Sequence, residues 1–277
     1  MPKLRYCVTL RSGGDYDIED VHALVMQAKK YLTVPHEFVC FTDTPINHPM
    51  VTEIPLESDW PGFWSILEVY RNEGPTIMTG LDTVIFDNID PLGETALTCS
   101  KDQIFMCRPR IQYMINLGFW ASGIMVWNGD WSWILDHFDY AKASRKWKWE
   151  QMFVSNLLIK KGITPDIIQD RIPGWYSYKM LWNRNNRRPI EKPKNISIMT
   201  FAGNPRPKKC KEPWIREARD LYKTWEYTIP MEGLANEARE SAEEDERVSP
   251  DMLNIEPKDG LDDIRDWKEY PDEAGSE

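Results

Sequence analysis

Histidine and cysteine are scarce: four and five residues in a chain of 277. The histidines, His22, His36, His48 and His137, follow no metal-ligand spacing, so a histidine-built metal centre is not expected. All four read as structural or solvent-exposed. The cysteines (Cys7, Cys40, Cys99, Cys107 and Cys210) form no CxxC pair and are odd in number. That argues against a zinc ribbon or a disulfide-built scaffold and for reduced thiols in a cytoplasm. No apolar run approaches the roughly 18 residues a membrane helix needs, so no membrane span is expected. The opening "MPKLRYCVTL" reads as a strand and lacks the basic-then-apolar layout of a secretion signal; the expected location is cytoplasmic. There is no Gly-x-Gly-x-x-Gly loop opening a helix, no P-loop and no Gly-x-Ser-x-Gly elbow. The two glycines of "RSGGDY" read as freedom for close backbone approach.

Aromatic residues are plentiful instead, at 12% with 13 Trp, enough for a sizeable core. The net charge of -10 is unevenly spread. Residues 231–277 hold 17 acidic and 5 basic side chains, a balance of -12, which leaves the rest of the chain at +2. The expectation is one domain over residues 1–228 and an acidic, partly disordered tail over 229–277. "DMLNI" and "IRDWKEY" are the tail's two apolar points, available for docking on the body or on a partner.

Strand and helix signals alternate through the body. Leu4–Leu10 and Glu37–Phe41 read as strands. Glu19–Leu32 reads as a helix, with Val21, Leu24, Val25 and Ala28 on one face. "WPGFWSILEVYRN" opens with Pro61 in a helix-starting position. Strands are expected at 75–79, 84–86, 122–127 and 196–201, and a helix at 149–161. Such alternation predicts an α/β fold, a mixed central sheet flanked by helices. Ligands in such folds bind beyond the carboxyl ends of the strands, where Asp43 and Asp82 fall.

Asp82 stands alone between two apolar runs in "MTGLDTVIFDNIDPL". It reads either as a turn residue satisfying the backbone before Thr83 or as an oxygen ligand for a divalent cation that grips a diphosphate. Order along the chain bears on the choice. "VTLRSGGDY", "FVCFTD", "FWSILEVYR", "GLDTVIFDNIDPL", "ASGIMVWNGD", "WEQMF", "YSYKMLW" and "FAGNPRPKK" occur in the order of corresponding motifs in one family. Between about Tyr6 and Trp214 the chain resembles the glycogenin-like glycosyltransferases and related bacterial and phage sequences of the A-type, Rossmann-like glycosyltransferase fold. The resemblance implies a nucleotide-sugar donor, most simply a UDP-sugar, across the strand ends near Thr9, Arg11, Tyr16 and Asp82, with Tyr16 against the base and Asp43 at the neighbouring strand end. It implies Glu150 and Gln151 facing the donor sugar or acceptor, with Ser122 and Gly123 lining the sugar pocket beside Trp64, Trp147 and Trp149.

The departures from that family fall on its metal site. Gly80 stands where the family has the first Asp of its pair, and Ala202 where it has a His. Ile66 replaces a phosphate-facing Lys, Ala121 an Asn, and Glu150 an Asp. Asp82 is then the single carboxylate left for manganese or magnesium, with Asp87 and Asp43 as candidate helpers. The alternative is a donor site built on cations: Arg206 with Lys208 and Lys209 in "NPRPKK", and Arg11, since Arg offers phosphate a bidentate fork.

Two further stretches, "SRKWKWE" and "NRNNRRPIEKPK", interleave or cluster cations. They suit a nucleic-acid backbone, a sugar ring or plain solvent. The expected reaction moves a sugar from a nucleotide-diphosphate sugar to a hydroxyl acceptor, glycan or nucleic acid, with weak or no metal dependence. A catalytically inactive binding module on the same fold, and a sugar transferase acting on nucleic acid, are the other readings.

Overall fold

A computed structural model describes residues 3–224. The acidic segment 229–277, with its two apolar points, lies outside the described residues.

Among the described residues ten strands run in the order β1 (Leu4–Leu10), β2 (His36–Thr42), β3 (Val51–Pro55), β4 (Thr76–Thr79), β5 (Thr83–Ile85), β6 (Ile104–Cys107), β7 (Ala121–Trp127), β8 (Asp166–Ile167), β9 (Trp175–Ser177) and β10 (Ile198–Thr200). The α-helices are α1 (Ile18–Tyr31), α2 (Asp90–Thr98), α3 (Gln112–Asn116), α4 (Trp133–Asp136), α5 (Tyr140–Lys146), α6 (Glu150–Lys160), α7 (Tyr178–Arg184) and α8 (Pro213–Arg219).

Seven strands form the main sheet in the order β3-β2-β1-β4-β7-β6-β8. The strands from β3 to β4 are mutually parallel, β7 runs antiparallel to both its neighbours, and β8 runs parallel to β6. A small sheet, β5-β10-β9, stands beside it. The mixed α/β architecture is therefore the one the alternation predicts.

Period-two alternation along β1 feeds two cores. Leu4, Tyr6, Val8 and Leu10 face α1 and α2, while Cys7 joins Val39, Phe41, Met78, Met125 and Trp127 on the other side. Both faces are covered, which explains why these strands read as near-continuous apolar runs. All five cysteines are free thiols, four of them buried.

Helix α1 begins with a capping box in which Asp17 and Asp20 satisfy each other's backbone N–H groups. Asp20 is buried and also pairs with Arg219 of α8 at 2.9 Å. Gln27 accepts from the N–H of Ile85 at 2.7 Å and donates to Ala218 O, tying α1 to the small sheet and to α8.

The segment Gly62–Arg71 is a ten-residue 3₁₀ helix, tighter than the α-helix usually found at this length. It buries Trp64, Leu67, Val69 and Tyr70 against the second core. Glu68, also buried, accepts from the backbone N–H groups of Glu57 and Ser58 at 2.8 Å and pairs with Arg71, which holds the preceding loop down.

Candidate functional site

Strand β4 ends at Thr79, and the chain turns through Gly80, Leu81 and Asp82 into β5 of the small sheet. The turn is held from both sides. Gly80 N donates to Gly123 O at 3.3 Å, and Phe201 N donates to Asp82 O at 2.8 Å. Asp82 thus stands where the two sheets meet, beyond the carboxyl end of β4. Its carboxylate folds back over Gly80: a Cβ built on Gly80 would overlap Oδ1 of Asp82. The missing side chain at position 80 is the space that Asp82 uses.

Asp82 is partly exposed, yet burial of its carboxyl pushes its pKa up to about 6, against the opposing pull of Arg206. Its second charged neighbour is Glu150, at the start of α6. Glu150 is buried, and burial raises its pKa to about 7 although Ser122 hydrogen-bonds it and the charge of Asp82 adds a smaller upward push. Oγ of Ser122 donates to Oε1 of Glu150 at 2.5 Å, and the Ser122 N–H donates to Oε1 of Gln151 at 3.1 Å. Gln151 in turn donates to Sδ of Met114 at 3.4 Å.

Ser122 and Gly123 sit in an irregular stretch of β7, because the β6–β7 register shifts between Met106 and Cys107. Such irregularities re-aim side chains at the rim of a sheet. Here the result brings Ser122, Glu150 and Gln151 into one hydrogen-bonded group.

A second group surrounds the carboxyl end of β1. Thr9 is buried with no hydrogen-bond partner for its hydroxyl. Asp43, past the end of β2, accepts from the N–H and the Oγ of Ser12, each at 2.8 Å, and pairs with Arg11 at 3.4 Å. Arg11 also donates to Ser58 O at 2.8 Å. Tyr16 lies under the Arg206 guanidinium, 5.0 Å from ring centre to Cζ, and its hydroxyl pKa is raised by burial and by Asp82.

Arg206 donates from Nε and Nη2 to Asp15 at 3.1 and 2.7 Å. Lys208 pairs with Asp17 at 2.9 Å and Asp20 at 3.5 Å, so it ties the loop after β10 to the start of α1. Trp64 is 5% exposed and lies inside the second core beside Phe138 and Tyr140. Trp147 and Trp149 pack against a small cluster of Met114, Phe119 and Met152 next to Gln151.

The structure thus brings together Asp82, Ser122, Gly123, Glu150 and Gln151 on one side, and Thr9, Arg11, Tyr16, Asp43 and Arg206 on the other. Arg206, whose charge acts on Asp82, links the two. Asp87 is exposed beyond β5 and caps its own Asn88 N–H, away from this group. Two neighbours escaped sequence reasoning: Asp15, which holds Arg206, and Met114, which holds Gln151. Asp15 is adjacent to the aromatic of "GDY"; Met114 carries no local signal, since its contact with Gln151 spans 37 residues.

Among the described residues, no three His, Cys, Asp or Glu side chains assemble into a metal-holding group. Asp82 is the lone carboxylate at the turn, and Gly80 and Ala202 offer no donor. Among the described residues these side chains do not by themselves make a divalent-cation site.

No family model and no curated protein matches this chain. Solved structures do. The galactosyltransferase LgtC, crystallised with donor and acceptor sugar analogues, matches with 11% identity and a TM-score of 0.55 over 83% of this chain and 99% of that one. The glycosyltransferase GlyE of Streptococcus pneumoniae TIGR4 matches with 10% identity and a TM-score of 0.56 over 85% of this chain and 64% of that one, just under two thirds of its length. The likeness at this identity is one of fold: the chain has the A-type glycosyltransferase fold. Among the described residues no helix is long and apolar enough to cross a membrane.

Proposed function

We propose that this chain transfers a sugar from a nucleotide-diphosphate sugar to a hydroxyl acceptor. The observation that carries the reading is the convergence of Asp82, Glu150, Ser122 and Gln151 with Arg206 and Tyr16 at the carboxyl ends of β1 and β4 and the amino end of the antiparallel β7, in a fold shared with glycosyltransferases.

In this reading the nucleotide lies across the end of β1, with Tyr16 against the base, Thr9 and Asp43 at its ribose side, and Arg11 and Arg206 at the diphosphate. A UDP-sugar is the donor of choice. Arg206 is held by Asp15, whose side chain is 58% exposed. An exposed pair of this kind is worth at most about 1 kcal/mol, so a diphosphate can compete for the guanidinium. The acceptor oxygen attacks the anomeric carbon, the bond from that carbon to the diphosphate breaks, and the electron pair leaves with the nucleoside diphosphate. Arg206 and Lys208 balance the charge that builds there. The acceptor proton goes to a carboxylate, and Glu150, with a pKa near neutrality, suits that role. Gln151 and Ser122 orient the sugar.

A specific observation keeps the binding-module reading in play: Arg206 and Lys208 are already paired with acids, and Gly80 and Ala202 supply no ligand. One experiment separates the two. A panel of nucleotide sugars is incubated with the full chain, with and without manganese, and hydrolysis is followed. Turnover that disappears in Glu150→Gln supports the transferase. Stabilisation by a nucleotide with no turnover on any donor supports the binding module.

A further inference from the structure

The end of β6 carries a cation that the site just described does not use. Arg110 stacks on the ring of Trp175 in β9, its guanidinium carbon 3.5 Å from the ring centre. Nη1 is fully covered and has no hydrogen-bond partner, and neither has the buried Nε1 of Trp175. No ion pair joins Arg110 to any described residue. Two buried donors in one stacked pair therefore face no acceptor within the fold, an arrangement that costs free energy.

The ionisable groups that act on Arg110 are Cys107 and Arg184, and burial lowers its pKa to about 10. Neither neighbour is a carboxylate. The position of Trp175 is fixed by the chain before it: Gly174 has φ of +82°, and a side chain there would strike the backbone of Asn195 and Ser197.

Strand order places this pair. The cations assigned to the diphosphate stand at β1 and in the loop after β10, whereas Arg110 follows β6, on the far side of β7 from β1. The irregular segment with Ser122 and Gly123 lies between them. Cys107, three residues before Arg110, feels the charges of both Arg110 and Asp82.

We propose that Arg110, seated on Trp175, is the receptor for an oxyanion, carboxylate or phosphate, borne on the sugar side of the reaction, either by the transferred sugar or by the acceptor. The identity of the bearer rests on the nucleotide-sugar reading; the anion site itself does not. A guanidinium held flat on a ring presents its remaining N–H groups in a fork that fits a carboxylate or phosphate, and the exposed Arg184 adds long-range attraction.

The test is calorimetric titration of the full chain with five probes: UDP, UDP-glucose, UDP-glucuronate, glucose 6-phosphate and glucose. The expected result is a preference of about 10- to 100-fold for an anionic probe over its neutral counterpart, the scale of a charge-assisted hydrogen bond. Preference for UDP-glucuronate assigns the anion to the donor sugar; preference for glucose 6-phosphate assigns it to the acceptor. Arg110→Gln should abolish the preference and leave UDP affinity within about twofold. Trp175→Phe, which keeps the ring and removes one donor, should reduce the preference and provides the second variant if Arg110→Gln does not fold. Wild type with no preference for either anionic probe, or Arg110→Gln or Trp175→Phe with the wild-type preference intact, overturns the proposal. Loss of all UDP binding by wild type with a retained, Arg110-dependent response to glucose 6-phosphate would defeat the nucleotide-sugar reading and leave the anion site standing.

Discussion

The carboxylate of Asp82 occupies the space that a side chain on Gly80 would fill. A second acid cannot be added at position 80 without moving the first. Gly80→Asp should therefore lower stability in chelator by about 1 kcal/mol, through displacement of the Asp82 carboxylate and repulsion between the two acids. Manganese should restore much of that loss in the variant, because two carboxylates displaced toward solvent bind a hard cation better than one. Thermal melts in chelator and in manganese read both effects. Equal melting of variant and wild type in chelator contradicts the geometry.

Glu150 and Asp82 are acids whose folded pKa values lie above their ordinary ones, at about 7 and about 6. The folded state then holds protons that the unfolded state releases, so stability falls as pH rises from about 4.5 and the full cost is present above about 7. Glu150→Gln removes that cost. It should be more stable than wild type by up to about 3 kcal/mol at pH 8, with the advantage fading toward pH 4. Chemical denaturation at several pH values checks this. An advantage that grows as the pH falls would contradict the assignment.

The same titration has a kinetic consequence. With Glu150 as the base, kcat/KM should rise through an apparent pKa near 7 and level off above it. Glu150→Gln should lose about 10²- to 10⁴-fold and lose this limb of the profile. An unchanged profile in the variant removes Glu150 from proton transfer.

Arg219 and Asp20 form a buried pair that joins α8 to α1, with Lys208 on the other oxygen of Asp20. Removing Arg219 leaves Asp20 with Lys208, 3.5 Å from its other oxygen, as its remaining cation. Arg219→Met should therefore cost less than a fully stranded buried charge, about 1–3 kcal/mol, and Arg219→Met with Asp20→Asn should recover part of it. Urea denaturation of the three chains measures the coupling; purely additive losses would contradict it.

The parts of the fold legible in the sequence are those where pattern and burial coincide. β1 and β2 are buried on both faces and read as apolar runs; α1 shows its inner face at helical spacing and is capped by Asp17 and Asp20. β3 was not legible, because it is an edge strand with exposed Thr52, Glu53 and Pro55. β6 is four residues long, with no turn signal strong enough to isolate it. Asp82 announced itself as a lone acid between apolar runs. The pairing of Arg206 with Asp15 and the stacking of Arg110 on Trp175 join residues far apart in sequence, and nothing local encodes them. The 3₁₀ winding of Gly62–Arg71 is set by the packing of Trp64 and Tyr70 into the second core and is likewise a tertiary effect.

In the proposed function, the carboxyl ends of β1 and β4 hold a nucleoside diphosphate through Tyr16 and Arg206. Titration of the full chain with a set of nucleoside diphosphates, UDP first, tests it directly. The account predicts saturable one-site binding that weakens by about tenfold or more in Arg206→Ala and tightens in Asp15→Asn, which frees the guanidinium. Absence of binding to every nucleoside diphosphate, with and without manganese, or binding indifferent to Arg206, would contradict it.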